Sequence, residues 1–529
     1  MDAPTLDELI DSALASGDFA PAVERLMHTW SEFVAEDGVR VRMLLERLPA
    51  EVWQNHPWLV TAYGSSYRTI GSRSRTAALP YFEAALALVT DETPIPVRVA
   101  VAMHYSALLR SLGRLDEALQ YAEEARALAK SDQSMPLAWR IQLPAKATLQ
   151  VGIAQYHLGD YDGAFASLRL AAGLSEERFH RSERVECFGA LAILEYARGN
   201  FASALDAAAQ ARTASGTSGL LESPFGGGAL VAELLIAVEQ NRLADAQRIA
   251  PIVAAACERS DWEPLALYAR AAITIISEQY VEGLDLLRRC LQSYRRWTPS
   301  GAIVTMSEGL RATLLLRLGE VDTAWDILGG LAPTQHHANC PARFIAHLRF
   351  VTGDVAGTLA ALRECEALGD THSSRTLVDV QLLKSAANLQ LGNDAAADVA
   401  FDRGMILAAN NEMRIPFRLV PEAILNQLLS RAMLRPQPRE VRAIFAEAQN
   451  ATRRTTAVEE QPLSGREREI LRALVRGLSV NEISEELFIS VNTVKSHLKS
   501  AYRKLGVGTR SAAIRRAREL GLQVEITPR

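Results

Sequence analysis

Between Ser490 and Arg503, hydrogen-bonding side chains recur at helical spacing. At 100° per residue Asn492, Ser496, Lys499 and Arg503 share one face, with Lys495 on its flank. Val494, Leu498, Ala501 and Leu505 share the opposite face. A rigid helix backed by an apolar stripe and presenting amide, hydroxyl and ammonium groups suits a polyanion. Lysine can donate to guanine acceptors in a major groove, and Asn or Ser can reach base edges or phosphate. The Ser490 hydroxyl, Thr493 and the unpaired amides at the helix start suit phosphate. The competing reading is a charged face that merely meets water.

The elements that would hold this helix are legible from their caps. Ser464 and Glu467 form a capping box before an apolar stripe of Ile470, Leu471, Leu474 and Val475, and Gly477 ends that helix. Ser479 and Glu482 form a second box, opening a short helix through Ile483 and Leu487. Ser490 caps the third helix, Val491 to about Leu505, which Gly506 terminates. A last helix begins at Thr509 or Ser511 and runs to about Leu520. A short helix, a tight connection through Phe488 and Ile489 and a longer capped helix predict a helix-turn-helix at about 479–498.

Charge divides the chain. The 529 residues carry a net charge of −5, yet residues 463–529 hold 13 Lys/Arg against 7 Asp/Glu. Of the chain's 57 basic and 62 acidic side chains, 44 and 55 are left for residues 1–462, a net of −11. A small basic module on a large acidic body is the asymmetry expected when one end meets phosphate. Cys187, Cys257, Cys290, Cys340 and Cys365 are far apart in sequence and form no CxxC pair. That argues against a disulfide framework or a zinc module and fits a reducing compartment. His336, His337 and Cys340 read as a surface loop rather than a metal site, and no cofactor is expected. The acidic, amphipathic start gives no signal peptide, and no long apolar run predicts a membrane span, so a cytoplasmic location is expected.

Residues 1–448 read as a helical array. An apolar helix ends at a small residue or turn, and a second, alanine-rich helix follows. The unit recurs around Gly71, Gly113, Gly159, Gly199, Asn241, Gln279, Gly319, Gly353 and Gly392, at intervals of 34 to 46 residues. Gly or Asn can take the left-handed conformation that closes a helix. Ala118, Ala164, Ala204, Ala246 and Ala324 each come five residues after a turn, where a small side chain lets paired helices approach. One hairpin cannot bury its own apolar face, so neighbours must stack into a superhelix. The LG-x-x-x-x-A pattern resembles the tetratricopeptide repeat (TPR), with a longer and more variable period. The fold class expected is all-α: a TPR-like superhelix, a linker at 449–461 and a four-helix module at 462–529.

The stretch from Leu463 to Ile514 closely resembles the LuxR-type helix-turn-helix domain. The resemblance is carried by Leu463-Ser464-x-Arg466-Glu467, Gly477, Asn481-Glu482-Ile483, Leu487, Ser490, Thr493-Val494-Lys495-x-His497, Lys504-Leu505 and Arg510. It implies that Lys495, Ser496 and Lys499 read bases or nearby phosphates, and that Thr493 and Arg510 hold the DNA backbone. It also implies that the last helix, through Ala513, Ala517 and Leu520, pairs two subunits. Glu467 reads instead as an internal partner for a basic side chain. The chain is similar to the later part of large MalT-like bacterial regulators, but it contains no Walker A loop, since no Gly-Lys pair occurs.

No HExxH, no GxSxG and no Cys/His set at ligand spacing is present, so an enzyme is not expected. Two function classes stand. In one, the chain is a transcription regulator on double-stranded DNA, bound at least there as a homodimer. Its array then senses an unknown small-molecule inducer or regulatory protein in the repeat groove, and RNA polymerase is a candidate further partner. In the other, the array is an interaction scaffold whose helix-turn-helix serves mainly dimerisation or docking.

Overall fold

The computed structural model describes residues 5–26, 38–67, 75–131, 135, 137–174, 178–294, 302–331, 340–368, 373–436, 441, 463–505, 507, 509–519 and 522. All regular structure among these residues is helical. The linker at 449–461, the turn at Gly71, the histidines at 336 and 337 and Leu520 lie outside them.

Antiparallel helix pairs follow one another along the chain. They are α1 (Pro57–Ser66) with α2 (Arg75–Leu88), α3 (Ile95–Ser111) with α4 (Leu115–Ser131), and α5 (Leu137–Leu158) with α6 (Tyr161–Gly173). Next come α7 (Arg181–Arg198) with α8 (Phe201–Ser215), α9 (Gly227–Glu239) with α10 (Leu243–Cys257), and α11 (Glu263–Ser277) with α12 (Tyr280–Tyr294). The last are α13 (Ala302–Leu318) with α14 (Val321–Gly329), α15 (Ala342–Val351) with α16 (Val355–Leu368), and α17 (Ser374–Gln390) with α18 (Asp394–Asn410). Helix α19 (Glu422–Met433) closes the series, its Arg431 and Arg435 forking onto Asp398 and Asp402 of α18 at 2.8–3.0 Å. This stack of hairpins is the TPR-like array that the repeat spacing predicts.

The turns close by one device. Gly113, Gly159, Gly199, Gly319, Gly353 and Gly392 all have φ between 76° and 89°. The amide after each reaches back to a carbonyl five residues earlier, as in Asn200 to Glu195 at 2.8 Å and Asp354 to Arg349 at 2.9 Å. That bond takes up one of the carbonyls a helix leaves unsatisfied at its end. Asn241 does the same work at φ 58°, its neighbour Arg242 bonding Ala237 at 2.8 Å. At the next turn the left-handed residue is Glu278, φ 59°, one position before the expected Gln279. The alanines five residues past the turns are all fully buried. After Glu278 that place falls to Gly283, where a Cβ would run into Thr274 and Leu314.

The superhelix then closes on itself. The Asn411 side chain accepts from the Phe201 amide at 3.1 Å and donates to the Gly199 carbonyl at 2.8 Å. Ser373 and Ser374 donate to the carbonyls of Ala197 and Gly199 at 2.9 and 2.7 Å. Arg418 donates to the Ile275 carbonyl and to Asn241, both at 3.3 Å, and Arg317 donates to the Arg418 carbonyl at 2.5 Å. Residues 411–418 thus lace the turns of three earlier hairpins. Inside lie two buried charge clusters. Arg110 donates to Asp261 at 2.8 Å and to Gln150 at 2.7 Å. Arg375 pairs with Glu239 at 3.3 Å over the ring of Tyr196.

Two outcomes follow from this packing. Asn411→Ala leaves the Phe201 amide and the Gly199 carbonyl without that partner, which costs about 1–3 kcal/mol. A denaturant midpoint that does not move would contradict the lacing. Burial beside Arg110, against the opposing pull of Asp261, holds the His157 imidazole down at about 4. Burial likewise holds His347 at about 3. Both lie below the unfolded value near 6.5, so the unfolded chain takes up the protons first. Stability is complete above pH 6.5 and declines as the pH falls from there. Urea midpoints at pH 7.5 and pH 5.5 check it, the lower midpoint being expected at pH 5.5.

Candidate nucleic-acid interface

Residues 463–522 form an apolar core of their own. Its helices are α20 (Gly465–Val475), α21 (Val480–Glu486), α22 (Val491–Leu505) and α23 (Arg510–Glu519). Both capping boxes are formed. Ser464 accepts from the Glu467 amide at 3.2 Å while Glu467 accepts from the Ser464 amide at 2.7 Å. Ser479 and Glu482 repeat the exchange at 3.3 and 2.7 Å.

Helix α22 separates its faces as its sequence predicts. Val494, Leu498 and Ala501 are buried against α20 and α21, with Ile470, Leu471, Leu474 and Ile483. Asn492, Lys495, Ser496 and Lys499 are exposed. Arg503 falls on this helix, though its side chain lies outside the described set. At the start of α22, Ser490 accepts from the Thr493 amide at 3.1 Å and its hydroxyl meets that of Thr493 at 2.8 Å. The positive end of the helix and two hydroxyls therefore belong to the same helix as the exposed cations, a combination that favours an anion.

The helix is anchored from below. Lys504 donates to Glu467 at 2.8 Å, so Glu467 is the internal partner its sequence position predicts. Burial opposes its charge, but hydrogen bonds from Lys504, Ser500 and Ser464 outweigh that and hold the carboxyl at about 2. Arg466 donates to the Leu487 carbonyl at 2.8 Å, fixing α20 to the turn before α22.

Four further positions are placed by the structure. Arg510 is half-buried and donates to the Leu478 carbonyl at 2.7 Å, so it latches α23 onto the α20–α21 turn. Ala513 and Ala517 are fully buried in the core of their own domain. The pairing of two subunits that the resemblance implies for Ala513, Ala517 and Leu520 stays an expectation, with Leu520 outside the described residues. The outward side of α23 carries Arg515, Arg516 and Arg518. Phe488, 95% exposed at φ 50°, occupies the turn between α21 and α22. Only its place in the tight connection marks it in the sequence. Against the array, the Lys499 ammonium donates to the Glu278 carbonyl at 3.1 Å, and the Arg510 Cβ lies by Gly319.

A capped three-helix scaffold presenting a basic, apolar-backed helix defines a helix-turn-helix protein. The family model for "Bacterial regulatory proteins, luxR family" matches residues 461–517. The chain belongs to that family. It is 48% identical over 52 residues to the spore germination protein GerE of Bacillus subtilis (strain 168), 10% of this chain and 70% of that protein. It is 46% identical over 55 residues to the probable transcriptional regulatory protein NarL of Mycobacterium tuberculosis (strain ATCC 25618 / H37Rv), 10% of this chain and 26% of that one. It is also 46% identical over 61 residues to the CsgBAC operon transcriptional regulatory protein of Escherichia coli (strain K12), 12% of this chain and 28% of that one. The chain thus spans about a quarter of the length of the NarL and CsgBAC regulators it matches. Among solved structures, the human IFIT1 dimer with m7Gppp-AAAA is similar at a TM-score of 0.40 and 13% identity, over 92% of this chain and 96% of that one. The APC/C hetero-tetramer Cut9–Hcn1 gives 0.36 and 12%, over 85% of each chain. No helix among the described residues is long and apolar enough to cross a membrane.

The depressed Glu467 carboxyl sets a testable outcome. Its folded value of about 2 lies below the unfolded range, so its contribution is present above about pH 4.3 and is lost as the pH falls toward 2. Glu467→Gln should lower the stability of the C-terminal domain at pH 7 by about 3 kcal/mol. The gap between variant and parent should close on acidification. Amide exchange of α20 and α22 reports it, and equal protection in the two proteins at pH 7 would contradict the assignment.

Proposed function

We propose that the chain is a DNA-binding transcription regulator in which α22 enters the major groove. The observation that carries this reading is the exposed set Asn492, Lys495, Ser496 and Lys499, opposite a fully packed stripe and within the luxR-family match. Lys495, Ser496 and Lys499 take base edges or adjacent phosphates, and Arg503 lies one turn further along the same face. Asn492 reaches either. Ser490 and Thr493 take phosphate at the helix start. Arg510 holds the domain in shape, and through it the presentation of α22. Helix-turn-helix domains read two-fold-related half-sites in pairs, and two copies per site is the stoichiometry we propose. RNA polymerase is the further partner this reading implies.

The array is proposed as the sensor, answering a small molecule or a regulatory protein. A cleft of about 520 Å³ between α6, α7 and α8, lined by Arg169, Phe188, Leu191, Glu195, Asp206 and Gln210, supports this. Its size falls in the range of small-molecule sites. A second reading, in which the basic module chiefly docks, draws on the Lys499 to Glu278 hydrogen bond.

A mobility-shift titration on the full chain separates the two. Lys499→Glu should abolish sequence-specific retardation if α22 reads DNA, with the circular dichroism of the chain unchanged because the side chain is exposed. Undiminished retardation by that variant would favour the docking reading.

A further inference from the structure

The array brings together two residues that the sequence keeps 25 positions apart. The Sγ atoms of Cys340 and Cys365 lie 3.5 Å from each other, both buried. Cys340 stands immediately before α15 and Cys365 in the last turn of α16. The two thiols therefore face each other at the open end of a hairpin whose closed end is the Gly353 turn. Cys187, Cys257 and Cys290 are buried as well, and Cys290 is taken up by the Pro264 carbonyl and the Ser307 hydroxyl.

The two thiols are not equivalent. Cys340 lies on the chain entering α15 and keeps 4% of its surface exposed, so it is the thiol that a small oxidant can reach. Cys365 is fully buried, and its contact with Cys340 together with burial pushes its thiol well above the usual range. Arg343 also pairs with Asp379 of α17, so the start of α15 is tied to the next hairpin.

We propose that Cys340 and Cys365 form an intrachain disulfide site, in which Cys340 is the thiol that reacts with a hydroperoxide and Cys365 the thiol that resolves it. The Cys340 thiolate attacks one peroxide oxygen and the O–O bond breaks. Cys340 becomes a sulfenic acid, and with hydrogen peroxide one water is released. The Cys365 sulfur then attacks the sulfenic sulfur, an S–S bond forms and a second water leaves. Two thiols are oxidised by two electrons and one peroxide is reduced to two waters. The sulfurs need to approach by only about 1.5 Å. The bond ties the start of α15 to the end of α16, so the hairpin can no longer splay at that end.

Peroxide treatment of the full chain, followed by peptide mapping without reductant, tests the site. The expected result is one linked pair of peptides joining Cys340 to Cys365, the mass of two hydrogens lost and the other three thiols retained. Dithiothreitol should restore both thiols. Cys365→Ala should accumulate a sulfenic acid at Cys340 that a 1,3-dione probe traps, whereas Cys340→Ser should leave Cys365 as a thiol. The exposed Met43 and Met433 serve as internal controls for peroxide exposure. Survival of both thiols once those methionines are oxidised would overturn the proposal, as would linkage to another cysteine or between chains.

Discussion

Every helix ends with carbonyls that have no partner within it, and the array is organised by how those carbonyls are satisfied. Locally, a left-handed residue turns the chain so that an amide five residues on can donate back. At longer range, Ser373, Ser374, Asn411 and Arg418 cap the ends of α7, α11 and their turns from 143 to 212 positions away in the chain. The second layer depends on the first, because a turn that closes this way leaves its remaining carbonyls free to accept. Lys499 donates to the carbonyl of Glu278, placing a DNA-reading candidate against a helix C-terminus, where the partial charge is negative.

The closed superhelix has a charged interior. Arg110 and Arg375 have almost no exposed surface and are held by carboxylates from other hairpins, including Asp261 151 positions away. Replacing such pairs by apolar residues is often neutral for stability, whereas removing one partner strands a buried charge. Their plainer consequence here is specificity of register. A hairpin displaced by one repeat would bring Arg375 against something other than Glu239, and the guanidinium would be buried without its carboxylate.

The elements were legible wherever a local rule decides them. Glycine at Gly113, Gly159, Gly199 and Gly319 forecasts a left-handed turn because few other residues adopt one cheaply. Two capping boxes fixed the starts of α20 and α21, and the period of 3.6 fixed which side of α22 is buried. What escaped the sequence depends on contacts between distant segments. The lacing of Asn411 to Gly199 spans 212 positions. Nothing in the spacing of Cys340 and Cys365 says that one hairpin places them face to face. The burial of Ala513 and Ala517 likewise follows from how α23 packs on its own domain, which no local pattern announces.

On the proposed function, α22 presents cations to the DNA backbone and bases. The most direct measurement is the affinity of the full chain for its DNA as a function of salt concentration. Each neutralised phosphate releases counterions, so the logarithm of the association constant should fall linearly with the logarithm of salt, with a slope steeper than about −3. A flat line would mean that no phosphates are neutralised, and it would contradict the claim.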